Sequence, residues 1–312
     1  MATDEGTPRV GVALGGGAAR GWAHIGVLKG LAEQGIEPEI VCGTSIGALV
    51  GGIYAAGGLA QLEDWVCHLN NRQVLRLLDI TVSGGGAIGG RRLMELYRET
   101  YGDPLIEELP KRFAAVATDL HTGAEVWQQQ GSLLTAVRAS ISLPGVFTPV
   151  LVNGRWLADG SLVNPVPVNL CRALGADIVI AVDLNSNRTT RPRRPAPPAP
   201  EPVVVRDHTW RVGLGNLFHG SRHEQEPPPE PEAGESPPGF RRVLVMALDI
   251  MQDRIGRSRL AGDPPDLLLS PWLGEVEPLE FTGGQPTIEE GHRCVQRMLP
   301  ALDYLLGLKV QS

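Results

Sequence analysis

The chain has 312 residues, 42% of them apolar and 20% charged, which is enough to bury one α/β core or two small ones and wrong for a wholly disordered chain. Twenty-eight Lys and Arg stand against 35 Asp and Glu, and the formal charge of −7 argues against a nucleic-acid binder, whose affinity rests on basic surface. Cys42, Cys67, Cys171 and Cys294 are scattered, with no C-x-x-C pair and no histidine at metal-ligand spacing; neither a disulfide scaffold nor a zinc site is expected, and a reducing compartment fits.

Residues 1–8 read as a polar, acidic tail without the basic start and apolar run of a signal peptide, so the expected location is cytoplasmic. Val10–Leu14 is a short apolar strand, and Arg20 to Gln34 a helix with Ile25, Leu28 and Leu31 on one face and Gly35 as its stop. Glu39–Cys42 is the next strand and Ile46–Ala56 the helix behind it. Ile40 to Leu62 holds no charged residue, but its glycines and Gly43-Thr-Ser45 read as buried strand, turn and buried helix, not a membrane span. The cluster Gly84-Gly-Gly86 and Gly89-Gly90 before Arg91–Arg98 is read as a flexible loop, a lid hinge being the other possibility. Further strands are expected at Phe113–Ala117, Glu125–Gln128 and Ile178–Val182.

Twelve of the 26 prolines fall between Asn187 and Phe240, and 187–240 reads as a disordered insertion with a short ordered piece around Trp210–Leu217. A helix near Val243–Ile255 and a strand at Leu267–Ser270 follow. The helix carries Val243, Met246, Ala247 and Ile250 on one face, with Arg241, Arg242, Arg254, Arg257 and Arg259 nearby. It is read as a core helix with a solvated basic end, in preference to one that touches an anionic membrane. Residues 9–186 and 241–312 are expected to form a single α/β domain whose strand–helix alternation signals a mainly parallel sheet covered on both faces.

Two glycine motifs carry the chemistry. Gly15, Gly16 and Gly17, followed by Ala18-Ala-Arg-Gly21, lie between a strand and a helix start, where backbone amides and the helix dipole suit an anion. A dinucleotide fingerprint lacks its third glycine because Arg20 stands there, and the Gly-Lys-Ser/Thr of a phosphate loop is absent. An oxyanion hole or a merely structural turn remains. Gly43-Thr-Ser-Ile-Gly47, with a strand before it and a helix after, is a G-x-S-x-G nucleophile elbow in the context that motif requires, which makes Ser45 the nucleophile.

No histidine is well placed as its base. His208, His219 and His223 lie in the proline-rich stretch, His292 in a C-terminal helix and His24 one turn in from the glycine loop. Asp159, at a strand end before Gly160 and Ser161, offers another route if burial lifts its pKa from the reference of about 3.9. A plain Asp-Gly turn competes with that reading, and Asp119 and Asp183, also at expected strand ends, are rivals by position.

Leu14-Gly-Gly-Gly-Ala-Ala-Arg-Gly21, Ala23-His-Ile-Gly-Val-Leu28, Gly43-Thr-Ser-Ile-Gly47 and Asp159-Gly160 together resemble the patatin-like phospholipases, in particular the bacterial branch similar to the neuropathy target esterase catalytic domain. Ala117-Thr-Asp-Leu120 and Arg138-Ala-Ser-Ile-Ser-Leu-Pro-Gly145 match as well, so the resemblance covers about Val10 to Val182 and, more loosely, Arg241 onward. It implies a three-layer α/β/α fold with a mainly parallel central sheet, and a Ser-Asp dyad without histidine. In that dyad Ser45 is the nucleophile, Asp159 the general base, Gly15 to Gly17 the oxyanion hole, and Arg20 the support of that loop. Ser161 departs from the Gly or Ala usual after Asp-Gly. The activity implied is hydrolysis of fatty-acyl esters of phospholipids or lysophospholipids through an acyl-enzyme, with no metal or organic cofactor and with transient contact to the inner face of a membrane. A general carboxylesterase or thioesterase on soluble acyl groups ranks second. A weakly active regulatory protein that recruits a partner through the proline-rich stretch ranks third.

Overall fold

Strand and helix alternate into a mixed α/β fold with helices on both sides of a central sheet in the computed structural model, which describes residues 8–77, 79, 86–186 and 239–307. The strands are β1 (Val10–Leu14), β2 (Ile40–Thr44), β3 (Gly86–Ile88), β4 (Arg112–Asp119), β5 (Glu125–Gln128), β6 (Gly145–Phe147), β7 (Val150–Val152), β8 (Arg155–Asp159), β9 (Ile178–Val182) and β10 (Leu267–Leu269). The helices are α1 (Ala23–Glu33), α2 (Ile46–Ala55), α3 (Leu59–His68), α4 (Asn71–Leu77), α5 (Arg91–Tyr101), α6 (Leu133–Ser140), α7 (Val168–Ala173), α8 (Phe240–Gly262), α9 (Gln285–Arg297) and α10 (Leu299–Leu306).

The main sheet runs β10-β9-β1-β2-β4-β8-β7. Its first five members are parallel, β8 runs antiparallel to β4 and to β7 beyond it, and β5 pairs antiparallel with β4. The parallel strands are apolar along their middles because both faces are covered there. Val12 and Leu14 point into a core shared with Ile25, Leu28, Val50, Ile53 and Val295 of α1, α2 and α9. Ala13 points the other way, into a second core with Cys42, Val116, Leu170 and Val179. All five parallel strands end at one edge, so Gly15, Ser45, Leu120 and Asp183 emerge side by side there.

α9 reaches back over α1 at backbone distance. A Cβ on Gly26 would stand 1.8 Å from the Ile288 carbonyl oxygen, and one on Gly291 2.0 Å from that of Ala23. Small residues at these two positions let the helices close, and β10 adds to the sheet beside β9, so the chain after 239 is built into the same sheet and core.

Several expectations shift. The helix expected from Arg20 begins later, because Ala18–Trp22 forms a 3-10 turn that feeds α1 at Ala23. α3 to α7 were not foreseen. α5 does place Leu93, Met94, Tyr97 and Tyr101 at helical spacing against the core, while α7 has only six residues, too few to show a period. Ile40 to Leu62 is β2, α2 and the start of α3, and among the described residues no helix is long and apolar enough to cross a membrane. α8 does not bury the face expected of a core helix: Val243, Met246 and Ile250 are exposed, while Asp249 and Gln252 on its other side are buried. Residues 1–7 of the tail, the stretch 187–238 with Trp210–Leu217, and Gly84 and Gly85 lie outside the described residues.

Candidate active site

Ser45 stands between the last residue of β2 and the first of α2, at φ 56 and ψ −123. That left-handed φ is strained for a side-chain-bearing residue and survives only where its surroundings over-determine it. Gly43 and Gly47 supply the determination. A Cβ on Gly47 would lie 2.1 Å from the Leu14 carbonyl oxygen, and one on Gly43 2.4 Å from Cα of Ala48, so only glycine lets α2 start this close to β1. The Ser45 amide donates to Oγ of Ser140 at 2.8 Å, and the Thr44 hydroxyl donates to the Asn164 carbonyl at 2.9 Å.

Asp159 closes β8 and is fully buried. Its Oδ2 accepts a hydrogen bond from Ser45 Oγ at 2.6 Å, and its Oδ1 accepts one from the Ser161 amide at 2.8 Å. Its own backbone is held on both sides: the amide donates to Ser142 O at 2.9 Å, and the carbonyl accepts from the Thr118 hydroxyl at 2.8 Å. Burial raises the carboxyl from 3.8 to about 6, against the lowering pull of the hydrogen bonds from Ser45 and Ser161. Ser161, the residue that departs from the family pattern, therefore serves the turn through its amide. Its hydroxyl sits beside Gly16, where a Cβ would come within 2.3 Å of it.

The glycine loop meets the site from β1. Here the three amides divide. Gly15 donates to the Val182 carbonyl at 3.0 Å and Gly16 to that of Pro165 at 2.9 Å, so two of the three expected oxyanion donors are engaged in fixing the loop. The amides of Gly17 and Ala18 hydrogen-bond nothing among the described residues. Tertiary neighbours from β9 and the segment after Asp159 create this division, and no local pattern foretells it. Arg20 is buried and turned away from the opening. Its Nε donates to Val276 O at 3.1 Å and its Nη1 to Asn185 Oδ1 at 2.9 Å, with Asp249 Oδ1 of α8 at 3.5 Å. Asn185 in turn donates to Gly16 O at 3.2 Å, so the guanidinium braces the loop through its neighbours.

The rival residues lie elsewhere. Asp119 accepts from the His121 and Thr122 amides and Asp183 from the Asn185 amide, so both carboxylates are turn-formers. His292 pairs with Glu33, and His68 bonds to Asp64. His24 is fully buried, its Nε2 donates to the Gly15 carbonyl at 2.7 Å, its Nδ1 has no partner among the described residues, and burial holds it down to about 4. His208, His219 and His223 lie outside the described residues. Ser140, Ser142 and Asn185 were not singled out by sequence reasoning; the first two lie inside the Arg138–Gly145 match, which was the available signal. Among the described residues no three of His, Cys, Asp and Glu gather as a metal-ligating group.

A family model described as patatin-like phospholipase matches residues 12–172, a span that holds the glycine loop, Ser45 and Asp159. An uncharacterized NTE family protein of Mycobacterium tuberculosis is 34% identical over 339 residues, covering 95% of this chain and 93% of its own. Neuropathy target esterase of Drosophila melanogaster is 35% identical over 188 residues, 58% of this chain and 13% of that one. Patatin-like phospholipase domain-containing protein 6 of Homo sapiens is 35% identical over 189 residues, 58% of this chain and 14% of its own. With more than half of its length under the family model and a relative aligned nearly end to end, the chain belongs to the patatin-like phospholipase family.

Proposed function

We propose that this lipid esterase is a serine acyl hydrolase that releases fatty acid from phospholipids or lysophospholipids through a Ser45–Asp159 dyad. The observation that carries the reading is the 2.6 Å hydrogen bond from Ser45 Oγ, held at a strained elbow, to a buried carboxylate. Asp159 takes the hydroxyl proton as Ser45 Oγ attacks the ester carbonyl, and it returns that proton to the departing alcohol oxygen. Water then repeats the sequence on the acyl-enzyme: Asp159 accepts a proton from the water as its oxygen bonds the acyl carbon, the bond from that carbon to Ser45 Oγ breaks, and Asp159 returns the proton to Oγ as the fatty acid leaves. A carboxyl at about 6 is ionised at neutral pH yet basic enough to share the proton, which an ordinary carboxyl is not. The free amides of Gly17 and Ala18 are the oxyanion donors in this reading, with Gly15, Gly16 and Arg20 fixing the loop that carries them.

Fatty-acid release from a panel of phospholipids, lysophospholipids and short-chain esters tests the assignment, with Ser45→Ala as the blank. The expected result is release from phospholipid or lysophospholipid that falls at least about a thousandfold in the variant. Near wild-type release by Ser45→Ala would sink the dyad. Turnover of short esters alone would move the substrate class to a general carboxylesterase.

A further inference from the structure

The edge of the sheet where Ser45 opens also carries apolar surface left exposed among the described residues. Leu120 follows β4, and its amide donates to Trp156 O at 2.9 Å, while Trp156 pairs with Leu151 across β8 and β7. Directly opposed residues share a face, so the three side chains form one row across three strands. They are 46%, 54% and 55% exposed, and β7 is the last strand of the sheet. Leu120 lies four residues beyond Val116, the partner of Thr44, so the row lies outward of the level of Ser45, on the sheet face opposite the one Asp159 takes.

α8 lies across the same edge. Leu244 packs over Gly145, Asp249 meets Arg20, and Gly256 faces Pro165, which places the helix over the segment that follows Asp159. Its outward side carries Val243, Met246 and Ile250, at helical spacing and up to 60% exposed, and continues to exposed Arg254. The helix holds five arginines against two aspartates; Asp249 faces Arg20, Asp253 faces Arg257, and Arg259 pairs with Glu125 of β5. In a chain of net charge −7, this is a cationic, apolar-faced helix at the opening of the site, complementary to a layer with phosphate outside and acyl chain within.

We propose that this edge seats on a phospholipid surface, with the α8 stripe and the Leu120–Trp156–Leu151 row entering the headgroup region so that Ser45 faces the lipid. The inference rests on the acyl-hydrolase reading for its occupant, but it is tested without turnover. Full-length chain carrying Ser45→Ala is sedimented with vesicles of phosphatidylcholine and phosphatidylglycerol, alone and with Met246→Glu/Ile250→Glu or Leu151→Glu/Trp156→Glu added. Each pair is expected to weaken vesicle partitioning by about tenfold or more, whereas the same pairs in a chain with Ser45 intact change hydrolysis of a soluble short-chain ester by less than about twofold. Absence of vesicle binding overturns the proposal, as does binding indifferent to both pairs, or equal loss of ester hydrolysis in the paired variants. A dimer in sedimentation equilibrium that the same substitutions dissociate assigns the face to a second copy. Vesicle binding that arises only when 187–238 is deleted assigns it to the chain's own segment. If vesicles bind as expected but no ester is turned over by the wild type, the hydrolase reading fails and the lipid-facing edge stands.

Discussion

Replacing Asp159 with Asn separates what that carboxylate does for chemistry from what it does to the fold. The substitution keeps shape, and the side-chain oxygen that accepts from the Ser161 amide can remain. In the proposed mechanism what is lost is a base, and general-base catalysis contributes about a hundredfold to ten-thousandfold, so hydrolysis is expected to fall within or beyond that range. Stability moves the other way. A carboxyl raised from 3.8 in the unfolded chain to about 6 in the fold binds its proton more tightly when folded, so its contribution is most favourable below 3.8 and is lost as pH rises through 6. At pH 8 the ionised carboxylate therefore costs the fold about 3 kcal/mol, at 1.36 kcal/mol for each tenfold difference in proton affinity. Asn carries no such cost. The variant is expected to be more stable than wild type at pH 8 by up to about 3 kcal/mol, an advantage that shrinks to near zero by pH 4. Urea unfolding midpoints of both proteins at the two pH values read the difference, and kcat/KM of the wild type is expected to rise through about pH 6 to a plateau. An Asn variant no more stable at pH 8, or an advantage that does not change with pH, would refute the burial argument. Retained activity would refute the role.

Two further outcomes follow from the packing around Ser45. Gly47→Ala drives a Cβ into the Leu14 carbonyl oxygen, which no side-chain rotation relieves; a loss of about 1–3 kcal/mol by thermal or urea unfolding is expected, with activity falling further than stability as the elbow shifts. His24 is buried neutral and held down to about 4, so its contribution is present above 6.5 and is lost as pH falls toward 4; His24→Gln, whose amide can still donate to Gly15 O, is expected to flatten that acid loss and keep most of kcat, while His24→Phe lowers kcat with little change in KM. Unfolding curves at pH 7 and 5, beside steady-state rates, distinguish the two, and equal rates in both variants would show that the Gly15 carbonyl needs no clamp.

What could be read from the chain alone was what local physics determines. The apolar runs of β1, β2 and β9 announced strands buried on both faces, and the glycines at 43 and 47 announced a crowded turn. Asp159 was legible as a carboxylate ending a strand, yet nothing local raised it above Asp119 or Asp183. Its distinction is tertiary: β8 enters antiparallel beside β4 and brings its end against Ser45. The sharing of loop amides was likewise hidden, because Val182 and Pro165, which engage Gly15 and Gly16, are distant in sequence. On α8 the period of 3.6 showed that one face is apolar but not what that face meets. Periodicity reports a stripe, and only the packing of Asp249 against Arg20 fixes which side turns inward.

Arg20 holds Asn185 and approaches Asp249, residues that lie on opposite sides of 187–238. The two chain ends that flank that stretch are thereby moored to one guanidinium. The site thus registers where this intervening chain departs and returns, and not how much of it lies between. The polypeptide before 187–238 and the polypeptide after it thus meet at one cation, Asn185 on one side and Asp249 on the other, directly behind the glycine loop.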